Sequence, residues 1–131
     1  MTAAQFRRIV LGLAGVVEAS HMSHPDFRAA NGRIFATLNE DETRGMASLT
    51  PDQQADFIAR APEMFIPAAG AWGRGGSTMI ELKRAEAEIV GEAVTLAWQR
   101  VSALPPSQST AKKAKKAKAA KASKAGSGSR R

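Results

Sequence analysis

Between Pro67 and Leu82 the chain reads Pro-Ala-Ala-Gly-Ala-Trp-Gly-Arg-Gly-Gly-Ser-Thr-Met-Ile-Glu-Leu, so Trp72 and Arg74 stand among four glycines in the seven residues from Gly70 to Gly76. An indole ring beside a guanidinium can grip a nucleic-acid strand, the ring stacking on a base and the cation meeting a phosphate. The same ring can instead lie against the domain, and packing on the sheet is the slightly favoured expectation for Trp72. A second group is purely electrostatic. Lys112, Lys113, Lys115, Lys116, Lys118, Lys121 and Lys124 crowd the C-terminal stretch with no acid among them. About five phosphate contacts from such a run give a slope near −4.5 in log K against log salt, with no base preference.

Other reactive residue types lead to no site. His21, His24 and Asp26 suit a metal or acid-base cluster by type. Their spacing does not converge, because a strand and Pro25 intervene, so they are expected to be structural or surface residues. Ser20, Ser23 and Ser77 sit in no nucleophile context. Glu40, Asp41 and Glu42 form an acidic loop tip without the spaced pattern of a calcium loop. The glycines at 70 to 76 close on no Gly-Lys-Ser/Thr and lead into a strand, which excludes a P-loop or dinucleotide fingerprint. No catalytic constellation and no cofactor or metal site is expected, and an enzyme is the least favoured class.

The elements that must position Trp72 and Arg74 follow from periodicity. Phe6, Ile9, Val10 and Leu13 define an amphipathic helix over 3–14, ended by Gly15. Residues 16–22 read as a strand, and Pro25 bars helix in the segment after it. Asn31-Gly32 signals a turn. Segments 33–38 and 44–49 then form a hairpin around a five-residue loop. Thr50-Pro51-Asp52-Gln53 is a capping box that starts a helix with Ala55, Phe57, Ile58 and Ala61 on its inner face, stopped by Pro62. The glycine cluster reads as a tight exposed corner, 77–82 as a strand, and 86–102 as a long helix whose apolar stripe includes Trp98. The expected fold class is α+β, with helices packed on one face of a mostly antiparallel sheet.

Charge and composition divide the chain. Residues 1–104 hold ten Lys or Arg against all twelve Asp or Glu, a net of −2, while residues 105–131 hold nine Lys or Arg and no acid. The expected organisation is one domain over 1–104 and a basic Lys/Ala-rich tail over 105–131, disordered when free. The near-neutral body lacks a general positive field, so nucleic-acid affinity is expected to come mainly from the tail. Within the body Arg74 is the best phosphate contact, with Arg33 and Lys83 as neighbours if the strands run side by side. The absence of cysteine, of a long apolar run and of a signal-peptide pattern leads to the expectation of a cytoplasmic protein without a membrane partner.

Ser23-His24-Pro25-Asp26-Phe27, Arg33-Ile34-Phe35-Ala36-Thr37-Leu38, the capped helix at Thr50 and a tryptophan shortly before the last strand and helix resemble the MmcQ/YjbR family over about residues 3–103. The resemblance implies a CyaY-like α+β fold and a DNA-binding role by likeness to a double-wing motif. Many relatives carry basic or amide residues just ahead of the matching tryptophan, where this chain has Ala69-Gly70-Ala71. The expected function is therefore non-enzymatic, sequence-independent DNA binding, with RNA as a possible substitute, through the tail and the Trp72/Arg74 corner. The alternative is a module that binds a protein or small molecule at that corner, with the tail incidental.

Overall fold

The computed structural model describes residues 1–21 and 23–107. The first helix, α1 (Ala3–Leu11), opens with a capping box in which Thr2 Oγ1 accepts from Gln5 N and the Gln5 side chain accepts from Thr2 N. It ends at Gly12, one turn short of the expected Gly15. Six strands follow in chain order: β1 (Val17–His21), β2 (His24–Arg28), β3 (Ile34–Leu38), β4 (Arg44–Ser48), β5 (Phe65–Pro67) and β6 (Ser77–Glu81). The second helix, α2 (Pro51–Arg60), starts on the predicted Thr50/Gln53 box and stops at Ala61 ahead of Pro62. A short α3 (Gly70–Arg74) precedes β6, a 3-10 turn (Leu82–Arg84) follows it, and α4 (Ala87–Ser102) completes the core. The fold is α+β, as expected from the pattern.

The strands form one antiparallel sheet in the order β1-β2-β3-β4-β6-β5. α4 packs across β3 and β4 and against α1, while α2 covers β5 and β6. Register separates the two faces. Leu38, Gly45, Ile80 and Phe65 lie side by side and are buried, whereas the adjacent row of Thr37, Met46, Met79 and Ile66 is half-buried or exposed. The helices therefore cover the first row's face, since successive residues of a strand point to opposite sides. A bulge where β3 meets Phe27/Arg28 leaves Phe35 and Ala36 both fully buried. Phe6 of α1 meets Phe27 edge to face at 6.0 Å, fixing α1 on the sheet.

Two strands were not read from the sequence. Residues 24–28 form β2 despite Pro25, because pairing with β3 begins only at Asp26 and the missing proline N–H interrupts no bond on that side. β5 is a three-residue edge strand. The glycine cluster also departs from expectation, since Gly70–Arg74 is a single helical turn and not an open corner. Close approach explains the glycines. A Cβ on Gly73 would overlap the Ala68 carbonyl oxygen, and one on Gly76 would overlap that of Leu49, with Gly76 at φ +112° besides. Ala55 of α2 is exposed, so Phe57 alone on that helix is fully buried. Among the described residues no helix is long and apolar enough to cross a membrane.

Candidate functional site

One end of the sheet gathers the groups with binding chemistry. β2 ends there at Arg28, β3 begins at Ile34, β4 ends at Ser48 and β6 begins at Ser77 directly opposite Ser48. α3 is therefore held at this end. Gln54 Nε2 of α2 donates to the Gly73 and Ser77 carbonyls at 3.0 Å each, tying α3 and the start of β6 to the capped helix. Trp72 leaves 78% of its surface in water, which overturns the expectation that it packs on the sheet. The physical reason is its place in the fold, a helical turn beyond the sheet end where, among the described residues, no second element covers the ring. Arg74 is exposed beside it and has no acid partner among the described residues.

A cleft of about 500 Å³ opens at the same end, between the β2–β3 turn and the last turn of α4, lined by Arg28, Arg33, Ile34, Ser48, Arg100 and Leu104 among others. Each guanidinium is fixed differently. Arg28 donates to Asp26 from Nε at 2.8 Å and from Nη2 at 3.2 Å, and Asp26 is fully buried, so this charge is compensated and the hydrogen bond raises the Arg28 pKa. Arg100 donates from Nε to the Ser48 carbonyl at 3.0 Å and from Nη2 to Ser48 Oγ at 2.6 Å. Arg33 donates from Nε to the Pro105 carbonyl. Neutral acceptors orient Arg33 and Arg100 without cancelling their charge.

The chain leaves the domain at this cleft. Asn31 Nδ2 donates to the carbonyls of Val101 at 2.8 Å and Leu104 at 3.0 Å, closing the end of α4, and Ser107 N donates to Asn31 O at 3.1 Å. Residues 105–107 are thus tied to the β2–β3 turn, and Ser107 lines the cleft. The tail lysines 112, 113, 115, 116, 118, 121 and 124 lie outside the described residues.

The expected grouping of Arg33 and Lys83 beside Arg74 is broken up: Arg33 shares its sheet end but not a neighbouring strand, and Lys83 lies at the opposite end. β4 separates β3 from β6, and Lys83 follows the far end of β6, so the strand's whole length lies between it and Arg74. Lys83 lines a separate groove of about 350 Å³ with Arg44, Glu63, Met79, Glu81 and Arg84. That far end also carries the acidic β3–β4 loop, which is ordered and not merely solvated. Asp41 Oδ1 accepts from Thr43 N and Oγ1, and Arg7 reaches Glu18 at 3.1 Å and Glu42 at 3.0 Å. The Thr43 and Arg7 donors hold the Asp41 and Glu42 carboxyls below the usual carboxylate range. His24 is the register partner of His21 in the β1–β2 pair, and no three His, Asp or Glu among the described residues could hold a metal ion. Trp98 is half-buried against the core, its indole N–H donating to the Ala14 carbonyl at 3.2 Å.

Sequence reasoning missed Arg28 and Arg100. Arg28 and Arg33 bracket the Asn31-Gly32 turn, a local signal that puts both at one hairpin end. Nothing local says that the end of α4 meets that hairpin.

No family model matches the chain, and no curated protein matches it. Among solved structures it is similar to the crystal structure of Deinococcus radiodurans protein DR2400, with the family-model domain DUF419, at a TM-score of 0.68 over 86% of each chain and 16% identity. Identity that low shows a shared fold and nothing of function.

Proposed function

We propose that this protein is a non-enzymatic nucleic-acid-binding protein of the MmcQ/YjbR type that holds DNA without base preference. The lysine tail supplies most of the electrostatic affinity, and the end of the sheet bearing Trp72 and Arg74 makes the body's contact. RNA offers the same phosphates and is a substitute ligand. The observation that carries this reading is the shared location of its parts. The tail departs from Ser107 at the arginine cleft, and the exposed indole of Trp72 stands at that same sheet end. A strand bound along the tail is delivered to a cationic surface with a stacking platform. The likeness in fold to DR2400 and the family motifs quoted above support the MmcQ/YjbR assignment.

Fluorescence anisotropy with a labelled duplex across a salt series tests the proposal on the whole chain, on residues 1–107, and on the whole chain with Trp72→Ala and Arg74→Ala together. The whole chain is expected to show a slope of about −4 to −5 in log K against log salt. The shortened chain keeps a weak residue of binding and loses most of that slope. Equal affinity for the whole and shortened chains would remove the tail from the mechanism. Absence of binding by any of the three at low salt refutes the nucleic-acid reading and leaves a protein- or small-molecule-binding module at Trp72.

A further inference from the structure

We propose that the cleft between the β2–β3 turn and the end of α4 is a binding site for a phosphomonoester group, with Arg33 and Arg100 as the residues that hold it. The lining contains three arginines and no acid. Among the described residues Arg28 alone of the three has a carboxylate partner, Asp26. Two full positive charges remain. Their guanidiniums are already oriented, Arg100 by Ser48 and Arg33 by the Pro105 carbonyl. A guanidinium has five donors, so these bonds leave most of Arg33's and more than half of Arg100's for a ligand. Little side-chain freedom is lost when an anion arrives.

Charge and size define the ligand. A phosphate monoester carries close to two negative charges at neutral pH, matching the two uncompensated guanidiniums. An internal phosphodiester carries one, so the site prefers a terminal phosphate to the backbone of a strand. The volume of about 500 Å³ falls within the roughly 300–1,000 Å³ usual for small-ligand sites. Ile34, Val101 and Leu104 give the cleft an apolar wall for the body of the ligand. A free mononucleotide and the 5′-phosphorylated end of a nucleic-acid strand both present this chemistry. The inference stands apart from tail-driven duplex binding, which needs no terminal phosphate.

The test is amide-shift mapping and calorimetry on the full chain with adenosine 5′-monophosphate, adenosine, and a short single strand with either a 5′-phosphate or a 5′-hydroxyl. Shifts at Gly32, Arg33, Ser48 and Leu104 are expected with the monophosphate and none with adenosine. Arg33→Gln and Arg100→Gln should each weaken the monophosphate about tenfold, the usual effect of losing a charge-assisted bond. Arg84→Gln removes one equal charge at the other end of the sheet and should change affinity less than about twofold. Arg100 braces Ser48, so thermal melts accompany that variant. If it unfolds, Arg33→Gln, which gives up a single side-chain bond to Pro105, decides the matter. A monophosphate response identifies free nucleotide as a ligand, and a gain confined to the 5′-phosphorylated strand identifies the strand end. Equal losses in all three variants, shifts confined to residues beyond 107, or indifference to every terminal phosphate would each overturn the proposal. The salt slope of a 5′-hydroxyl duplex reports separately on the nucleic-acid reading.

Discussion

The glycines around Trp72 make a graded prediction about what holds α3 at the sheet end. Gly76→Ala places a Cβ on the Leu49 carbonyl oxygen and 2.8 Å from the carbonyl carbons of Leu49 and Thr50, at a backbone φ of +112°. The left-handed region costs about 1–2 kcal/mol for a residue with a side chain. Overpacking against backbone adds about 1–3 kcal/mol, because neither Leu49 nor Thr50 can move without shifting the capped start of α2. The expected loss is about 2–5 kcal/mol. Gly70→Ala meets no atom within 4 Å but has φ +64°, so it loses only the conformational share, about 1 kcal/mol. Gly91→Ala lies inside α4 with nothing within 4 Å and should gain about 0.5–1 kcal/mol. Urea titrations of the three variants read these values directly, and about 4–8 °C of melting temperature accompanies each kcal/mol in a domain of this size. The order Gly91→Ala, wild type, Gly70→Ala, Gly76→Ala is the signature. If Gly76→Ala costs no more than Gly70→Ala, the corner yields to a side chain and close approach is not what selects glycine there.

Three further outcomes follow from the same geometry. Trp72→Ala should leave stability within about 0.5 kcal/mol, since the ring is 78% exposed, while weakening single-strand binding by about 1 kcal/mol if a base stacks on it. Arg7→Gln, measured by melting temperature against pH, should cost stability at pH 7 and converge on wild type only as pH falls through the depressed folded-state value of Glu42. The hydrogen bond from Arg7 lowers the Glu42 pKa in the folded state, so its contribution is complete above the unfolded carboxylate value and is lost as pH falls through the folded one. A difference that does not shrink as the carboxylates are protonated in acid would remove Glu42 from the account. Thr50→Ala breaks the box with Gln53 and should cost about 1 kcal/mol by chemical denaturation, with Thr50→Ser recovering most of it.

What was legible in the sequence was what local chemistry decides. Thr50-Pro51-Asp52-Gln53 carries its own hydrogen-bond partners, and the hairpin from Ile34 to Ser48 carries both its alternation and its loop, so each was read nearly to its bounds. β5 was invisible because three residues cannot show a period, and their strand character comes from lying beside β6. Trp72 illustrates the same limit at the site. Its glycine-rich neighbourhood said that the backbone turns closely, which is true at Gly73 and Gly76, but whether the ring is covered depends on how the packed helices lie around α3. Arg28, Arg33 and Arg100 belong to three elements that only the packed sheet brings together.

The net charge of the body is silent on local surfaces for a related reason. A value of −2 over residues 1–104 describes the whole domain and not any one surface of it. Glu40, Asp41, Glu42, Glu63, Glu81 and Glu86 lie at the far ends of β3 and β6 together with Arg44, Lys83 and Arg84, whereas Arg28, Arg33, Arg74 and Arg100 lie at the other end. The acids nearest the arginine end are Glu18 of β1, opposite Phe27 and paired with Arg7; Asp26, buried against Arg28; and Asp52 in the first turn of α2. A five-residue strand is about 17 Å long, roughly two screening lengths at physiological salt, so the far acids reach the arginine end attenuated by about an order of magnitude. An approaching phosphate therefore meets the local cations and not the domain's average. The last described residue, Ser107, is bonded to Asn31 at this end. On the proposed reading, the departure of the chain from Ser107 at this end, as much as the number of tail lysines, is what would join tail and body into one binding surface.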